Sequence, residues 1–242
     1  MLIPIGSWCR TAYQVNEFKK NNGIKPISFP FDWTITPFSS LEIIFNKQFS
    51  PNQALDKNHI RRSKFGSLVD DYTTLIHHHD FLAPKLKELE DISGVDAKGL
   101  PFELYNTDLL AKASGRLTHT YHQFELLKDK NEKLFFVRWQ KQGHPDNQLP
   151  EAFENESIST LSSILRSYLG HDNFSVLIIK SQIIDGELPV DVIPEYIREK
   201  SGVSSTIIER RGFNGDGTNN FKGDTKVWNT ILSKFLMDEE SR

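Results

Sequence analysis

Apolar residues recur at helical spacing at Trp8, Ala12, Val15 and Phe18, which predicts a helix over residues 8–20. The run before it, LIPIG at 2–6, reads as a short buried strand, with Ser7 as the N-cap between the two elements. Asn21-Asn22-Gly23 marks the stop, because glycine accepts the left-handed turn that closes many helices. Pro26 and Pro30 predict an extended, tightly packed segment over 27–33, and Ser39 or Ser40 opens a short helix to about residue 45. Residues 75–81 read as extended, and 91–106, with Gly94, Gly99 and Pro101, as a loop.

The second half alternates more regularly. Leu109, Leu110, Ala113, Leu117, Tyr121, Phe124 and Leu127 form the apolar stripe of a long helix, capped by Asn106 or Thr107 and ending near 128. LFFVRW at 134–139 is a strand buried on both faces, and 141–156 a polar surface connection. A helix over 157–169, strands over 175–180 and 204–209, and a closing helix over 226–236 complete the pattern. Strand–helix alternation of this kind predicts an α/β fold, a mainly parallel sheet flanked by helices in a three-layer sandwich. A papain-like α+β arrangement is the alternative. The length of 242 residues suits one domain spanning 1–242.

Composition removes several classes. With 38% hydrophobic and 11% aromatic residues the chain can bury a core, so disorder is excluded as its main state. A net charge of -3 argues against a general nucleic-acid binder. No apolar run is long enough to span a bilayer, and MLIPIGSWCR lacks the basic leader of a signal peptide. The single cysteine, Cys9, excludes an internal disulfide and a multi-cysteine metal site, and suits a reducing, cytoplasmic setting. No metal and no cofactor is expected.

Chemistry concentrates at Gly6-Ser7-Trp8-Cys9-Arg10, where a strand hands over to a helix. Helix N-terminal amides favour a negative charge, so a Cys9 thiolate gains from this position and its pKa is expected to fall, with Arg10 adding positive field. The same turn suits a phosphate or carboxylate of a ligand, and a free cysteine also serves as a small buried hydrophobe. A thiol nucleophile needs a base, and the run His77-His78-His79 before Asp80 offers one. A surface loop is the plain alternative for that run. His144, in Gly143-His144-Pro145-Asp146, reads as a solvated turn. Asp32, between Phe31 and Trp33, either sits in a partly desolvated pocket, where it orients a histidine or binds a cationic group, or caps a turn. Arg138 is a charge inside a buried strand and needs a partner, structural or anionic ligand. The glycine-rich stretch 212–218 fits neither an EF-hand nor a P-loop and reads as a turn-rich connection.

Two of these segments carry a resemblance. Ile5-Gly6-Ser7-Trp8-Cys9 with Ala12-Tyr13-Gln14, then Ser28-Phe29-Pro30-Phe31-Asp32-Trp33, resembles the opening of a bacterial and viral family of unknown function identified as papain-like cysteine peptidases. His78-His79-Asp80-Phe81, Phe135-Phe136-Val137-Arg138 and Gly223-Asp224-Thr225-Lys226-Val227-Trp228 extend it more loosely. The resemblance implies Cys9 as nucleophile, His79 (or His78) as base and Asp32 or Asp80 as orienting acid. Ser7, Trp8, Arg10, Gln14, Trp33, His78 and Arg138 then surround a peptide, glycan or small-molecule substrate. It also implies an association with polysaccharide assembly. The expectation is therefore a cysteine-dependent hydrolase or acyl-transferase. The alternatives are a transferase of surface-polysaccharide assembly that holds a phosphate or nucleotide-sugar at residues 6–10, with Arg61, Arg62 or Arg138 adding charge, and a non-catalytic binding module.

Overall fold

The structure is a computed structural model that describes residues 1–6, 8–45, 49–56, 59–62, 68–77, 107–142, 157–184, 195–200, 202–210 and 224–241. The chain opens with β1 (Leu2–Pro4) and α1 (Cys9–Asn21), followed by α2 (Phe38–Ile44). Three short strands, β2 (Ile60–Arg62), β3 (Leu68–Asp70) and β4 (Ile76–His77), come next. The remainder runs α3 (Thr107–Glu125), β5 (Leu134–Gln142), α4 (Ile158–Leu169), β6 (Phe174–Ile184), β7 (Glu195–Glu199), β8 (Gly202–Arg210) and α5 (Thr225–Glu240).

The five-stranded sheet has the order β1-β5-β6-β8-β7. β1, β5, β6 and β8 are parallel, and β7 is an antiparallel edge on β8. The α/β arrangement with a mostly parallel sheet is the one the alternation predicts. Alternate residues of each strand feed two cores. Ile3, Leu134, Phe136, Val176 and Ile178 join α2, α3 and α4 residues on one face. Leu2, Phe135, Val137, Leu177, Ile179 and Val203 join Val15 and Phe18 of α1 and Trp228, Ile231, Leu232 and Phe235 of α5 on the other. Period-two alternation with apolar residues on both sides is the signature of a sheet covered on both faces. On the first face an aromatic cluster, Phe31, Phe45, Phe124 and Tyr168, packs with ring centroids 4.9–5.8 Å apart. Truncating Phe124 there would cost about 3–5 kcal/mol.

The element bounds differ from expectation where long strands outlast their apolar runs. β5 continues through Lys141 and Gln142, assigned above to the surface connection, because β6 continues beside it in register, Gln142 against Gln182. β6 and β8 are likewise longer than their apolar stretches. Residues 30–33 form a turn rather than an extended run: Asp32 N–H donates to the Phe29 carbonyl at 3.2 Å, and Phe29 N–H to Asp32 Oδ2 at 3.1 Å. The small antiparallel sheet β2-β3-β4 was not foreseen as a sheet, its strands being two or three residues long, although β4 lies in the stretch 75–81 expected to be extended. A single antiparallel bridge, Ile35 to Ile76, ties it to the segment that leads from Asp32 to α2. The expected loop 91–106 and the connection 143–156 lie outside the described residues, as does the stretch 212–218.

Candidate functional site

Gly6 fixes the site's geometry. It ends the first strand with φ of +80°, in the left-handed region that favours glycine. A Cβ at this position would stand 2.7 Å from Thr36 Cβ and 3.2 Å from Arg138 Nη1. Only glycine lets the segment 34–36 approach the end of β1 this closely. The Gly6 carbonyl accepts from Thr11 Oγ1 at 2.6 Å and from Trp139 N–H at 3.2 Å. These bonds tie the turn to α1 on one side and β5 on the other.

Arg138 locks the same corner from below. It is fully buried and donates to the carbonyls of Ile5 at 2.7 Å and Thr36 at 3.0 Å. The buried charge is thus partnered by main-chain oxygens that the edge of β1 and the segment 34–36 would otherwise leave open. The bridge at Ile35 then carries the register on to Ile76 and His77, with N–H to carbonyl distances of 2.9 and 3.0 Å in the two directions. His77 is buried in β4 opposite Leu68. The Arg138 side chain and the Ile35–Ile76 bridge therefore link the Gly6 turn to the start of the histidine run. His78, His79 and Asp80 lie outside the described residues, as do Ser7 and His144.

Cys9 is the first residue of α1 and is half-buried. Trp8, not Ser7, occupies the N-cap position, in extended conformation and with no side-chain cap bond. Burial pushes the Cys9 thiol up; Arg10's charge and the main-chain N–H groups of Cys9 and Arg10 pull it down but do not overcome the burial. The expected depression of this thiol is thereby corrected: loss of hydration outweighs the field of the helix end.

The other expected site residues separate into two groups. Arg10 stays at the Cys9 end, its guanidinium 4.2 Å from the centre of the Trp139 ring, and Trp139 Nε1 donates to Ser181 Oγ at 2.5 Å. Gln14 is wholly buried under α5, its amide donating to Thr225 Oγ1 over a long 3.4 Å. Trp33 is exposed. Asp32 belongs to the opposite end of α1: its charge partner is Lys19, ten residues beyond Cys9, or about 15 Å along a helix axis. No contact among the described residues joins Asp32 to Cys9.

Lys19 is a buried cation the sequence reading missed. It is 2% exposed, with its ammonium 5.8 Å from the centre of the Phe29 ring. Burial lowers its pKa, and Asp32 partly offsets that. Asp32 is pushed up to about 7 by burial, against the Phe29 N–H and the Lys19 charge. Its Oδ1 is buried without a hydrogen-bond partner among the described residues. The helical stripe Ala12, Val15, Lys19 could have revealed the lysine, since spacings of three and four place it on the inner face. Among the described residues no group of three His, Cys, Asp or Glu side chains could hold a metal ion, and no helix is long and apolar enough to cross a membrane.

A family model described as "Putative papain-like cysteine peptidase (DUF1796)" matches residues 1–182. The chain belongs to this family. No curated protein and no solved structure matches it. The family's span carries the Gly6 turn, Cys9, the Arg138 lock and the histidine run, and ends within β6. Beyond the span, β8 and α5 complete the sheet and cover α1's side of it.

Proposed function

We propose that this papain-like peptidase family member is a cysteine-dependent hydrolase or acyl-transferase in which Cys9 is the nucleophile and His79 its base. The observation that supports this most is the chain path: Thr36 lies against Gly6, Ile35 bridges to Ile76, and His79 follows His77 by two residues, at most about 7 Å of chain. A half-buried thiol whose pKa is raised is protonated at rest and needs such a base. In the proposed step the thiol proton passes to the His79 imidazole as sulfur bonds to the substrate carbonyl carbon. The main-chain N–H groups at the start of α1 stabilise the resulting oxyanion. Collapse breaks the bond to the leaving group, which takes the proton from His79. Water or another acceptor then releases the acyl group from Cys9. Arg10, Trp8 and Trp33 are proposed substrate contacts, and Asp32 acts through the packing of its turn.

A test uses an activated ester such as p-nitrophenyl acetate with intact-mass detection. The wild type is expected to acquire an acetyl group that Cys9→Ser does not, and to lose it by hydrolysis. His79→Ala is expected to slow both steps at least tenfold. Turnover that survives Cys9→Ser unchanged overturns the proposal. A second reading, a transferase that holds a phosphate at residues 6–10, draws support from the start of α1, a helix N-terminus whose N-cap Trp8 makes no side-chain cap bond. It predicts full activity in Cys9→Ser.

A further inference from the structure

Of the six large apolar side chains exposed among the described residues, Ile24, Ile27 and Trp33 fall within ten residues of one another, at 49%, 39% and 45% exposure. An ordered backbone holds them out. α1 ends in a Schellman turn: Gly23, at φ +69°, donates its N–H to the Lys20 carbonyl at 3.0 Å, and Ile24 donates its own to the Lys19 carbonyl at 2.8 Å. The residue in Ile24's place commonly packs back on the helix, yet here it stands half exposed. The two roots of the segment are fastened to each other beneath it. The Lys19 ammonium lies 5.8 Å from the centre of the Phe29 ring and interacts with the buried Asp32. Between these roots, every residue from Asn21 to Ser28 except Pro26 is exposed.

Size and charge select the surface that covers such a patch. Each close to half exposed, the three side chains offer on the order of 300 Å² together, short of the roughly 800 Å² that each partner of a stable dimer contributes. A few aliphatic side chains do suffice to seat a protein at the boundary of headgroups and acyl chains, where a tryptophan ring is also favoured. Such seating holds best when a positive charge accompanies the apolar groups. Between Glu17 and Asp32 the chain carries Lys19, Lys20 and Lys25 and no carboxylate, in a protein of net charge -3. Lys19 is buried and Lys20 holds Glu17 at 2.8 Å, so the loop's outward charge is that of Lys25, exposed between the two isoleucines. Its long stem lets the ammonium stay at lipid phosphates while its neighbours go deeper. We propose that the loop at residues 21–28 docks this protein on an anionic lipid surface, with Ile24 and Ile27 entering the headgroup layer, Lys25 meeting lipid phosphates and Trp33 bordering the contact. The proposal stands independently of any role for Cys9.

The test sediments the full chain with sucrose-loaded vesicles, either of phosphatidylcholine alone or of phosphatidylcholine and phosphatidylserine at roughly 3:1. Wild type is expected to bind the mixed vesicles saturably, and about threefold or more tighter than phosphatidylcholine alone. Ile24→Asn combined with Ile27→Asn should weaken that binding by about tenfold or more, and Lys25→Glu by about threefold or more. All three side chains are exposed, so thermal melting of the variants should match wild type; should the double variant not fold, the two single variants are read instead, with the same outcomes. Wild type left in the supernatant with mixed vesicles overturns the proposal, as does equal binding to the two vesicle types or binding unchanged in the isoleucine variants. Sedimentation velocity without lipid is the last arm. A dimer of wild type that the isoleucine variants abolish would assign the patch to a second copy of the chain and overturn the lipid reading.

Discussion

Replacing Gly6 by alanine tests whether the close approach of β1's end and the segment 34–36 builds the site. Two costs add. Alanine in the left-handed region costs roughly 1–2 kcal/mol. Its Cβ would stand 2.7 Å from Thr36 Cβ, where ordinary contact begins at 3.4 Å, so the threonine's backbone-proximal atom must retreat by the difference of 0.7 Å. Thr36 cannot swing away freely, because its carbonyl holds Arg138 and its hydroxyl lies 3.0 Å from Thr34 Oγ1. Overpacking of this kind costs about 1–3 kcal/mol. The total is about 3 kcal/mol, or a fall in Tm of roughly 6–12 °C for a chain of this size. Gly23→Ala is the internal control. Gly23 also has positive φ, +69°, but nothing lies within 4 Å of its would-be Cβ. It should therefore show the conformational cost alone, about 1 kcal/mol. Denaturant unfolding of both variants gives the comparison. If Gly6→Ala costs no more than Gly23→Ala, the close approach carries no energy and the corner is not locked as described.

Arg138→Met leaves two buried carbonyls open and is expected to cost about 3 kcal/mol in urea unfolding; a cost under about 0.5 kcal/mol contradicts the assigned bonds. Asp32 has a folded pKa near 7, above the unfolded value near 3.9, so its contribution is fully present below pH 4 and is lost as pH rises to about 7. The stability of wild type minus that of Asp32→Asn should therefore decline between pH 4 and 7 by a few kcal/mol and stay flat above; a flat difference throughout contradicts the buried carboxyl. Glu239 behaves in the opposite sense. Burial alone would raise it, but hydrogen bonds from Ser175, Arg198 and Lys133 bring it down to about 2. Its contribution is present above about pH 5 and lost as pH falls towards 2, so Glu239→Gln should lower Tm at pH 7 and narrow the gap to wild type at pH 3.

Much of the fold was legible because the central strands and the helices have strong periods. LFFVRW and SVLIIK announce buried parallel strands, and the stripes of α3 and α5 announce helices packed on them. β7 was hidden by its sequence, EYIRE, where only two adjacent apolar residues stand between charges on an antiparallel edge, and β2 to β4 were too short for any period to show. At the site, Gly6, Cys9 and Arg138 were recognisable from local chemistry: a turn glycine, a cysteine at a helix start and a charge inside an apolar strand. What the sequence could not supply was the sign of competing fields. The helix end and Arg10 argue for a lowered Cys9, and only the burial of the sulfur decides the other way. Asp32 and Lys19 are the same lesson in reverse, since their proximity arises from a turn and a helix end brought together in space. β6 was read too short because SVLIIK ends its apolar run at Lys180, whereas the strand continues to Ile184.

The account rests on a thiol that depends on a neighbouring imidazole. Since Cys9 is the chain's only cysteine, the rate of its alkylation by iodoacetamide can be followed by intact mass from pH 5 to 10, in wild type and in His79→Ala. The account predicts that removing His79 moves the midpoint of that profile to higher pH and slows alkylation at pH 7 at least tenfold. Superimposable profiles would contradict it.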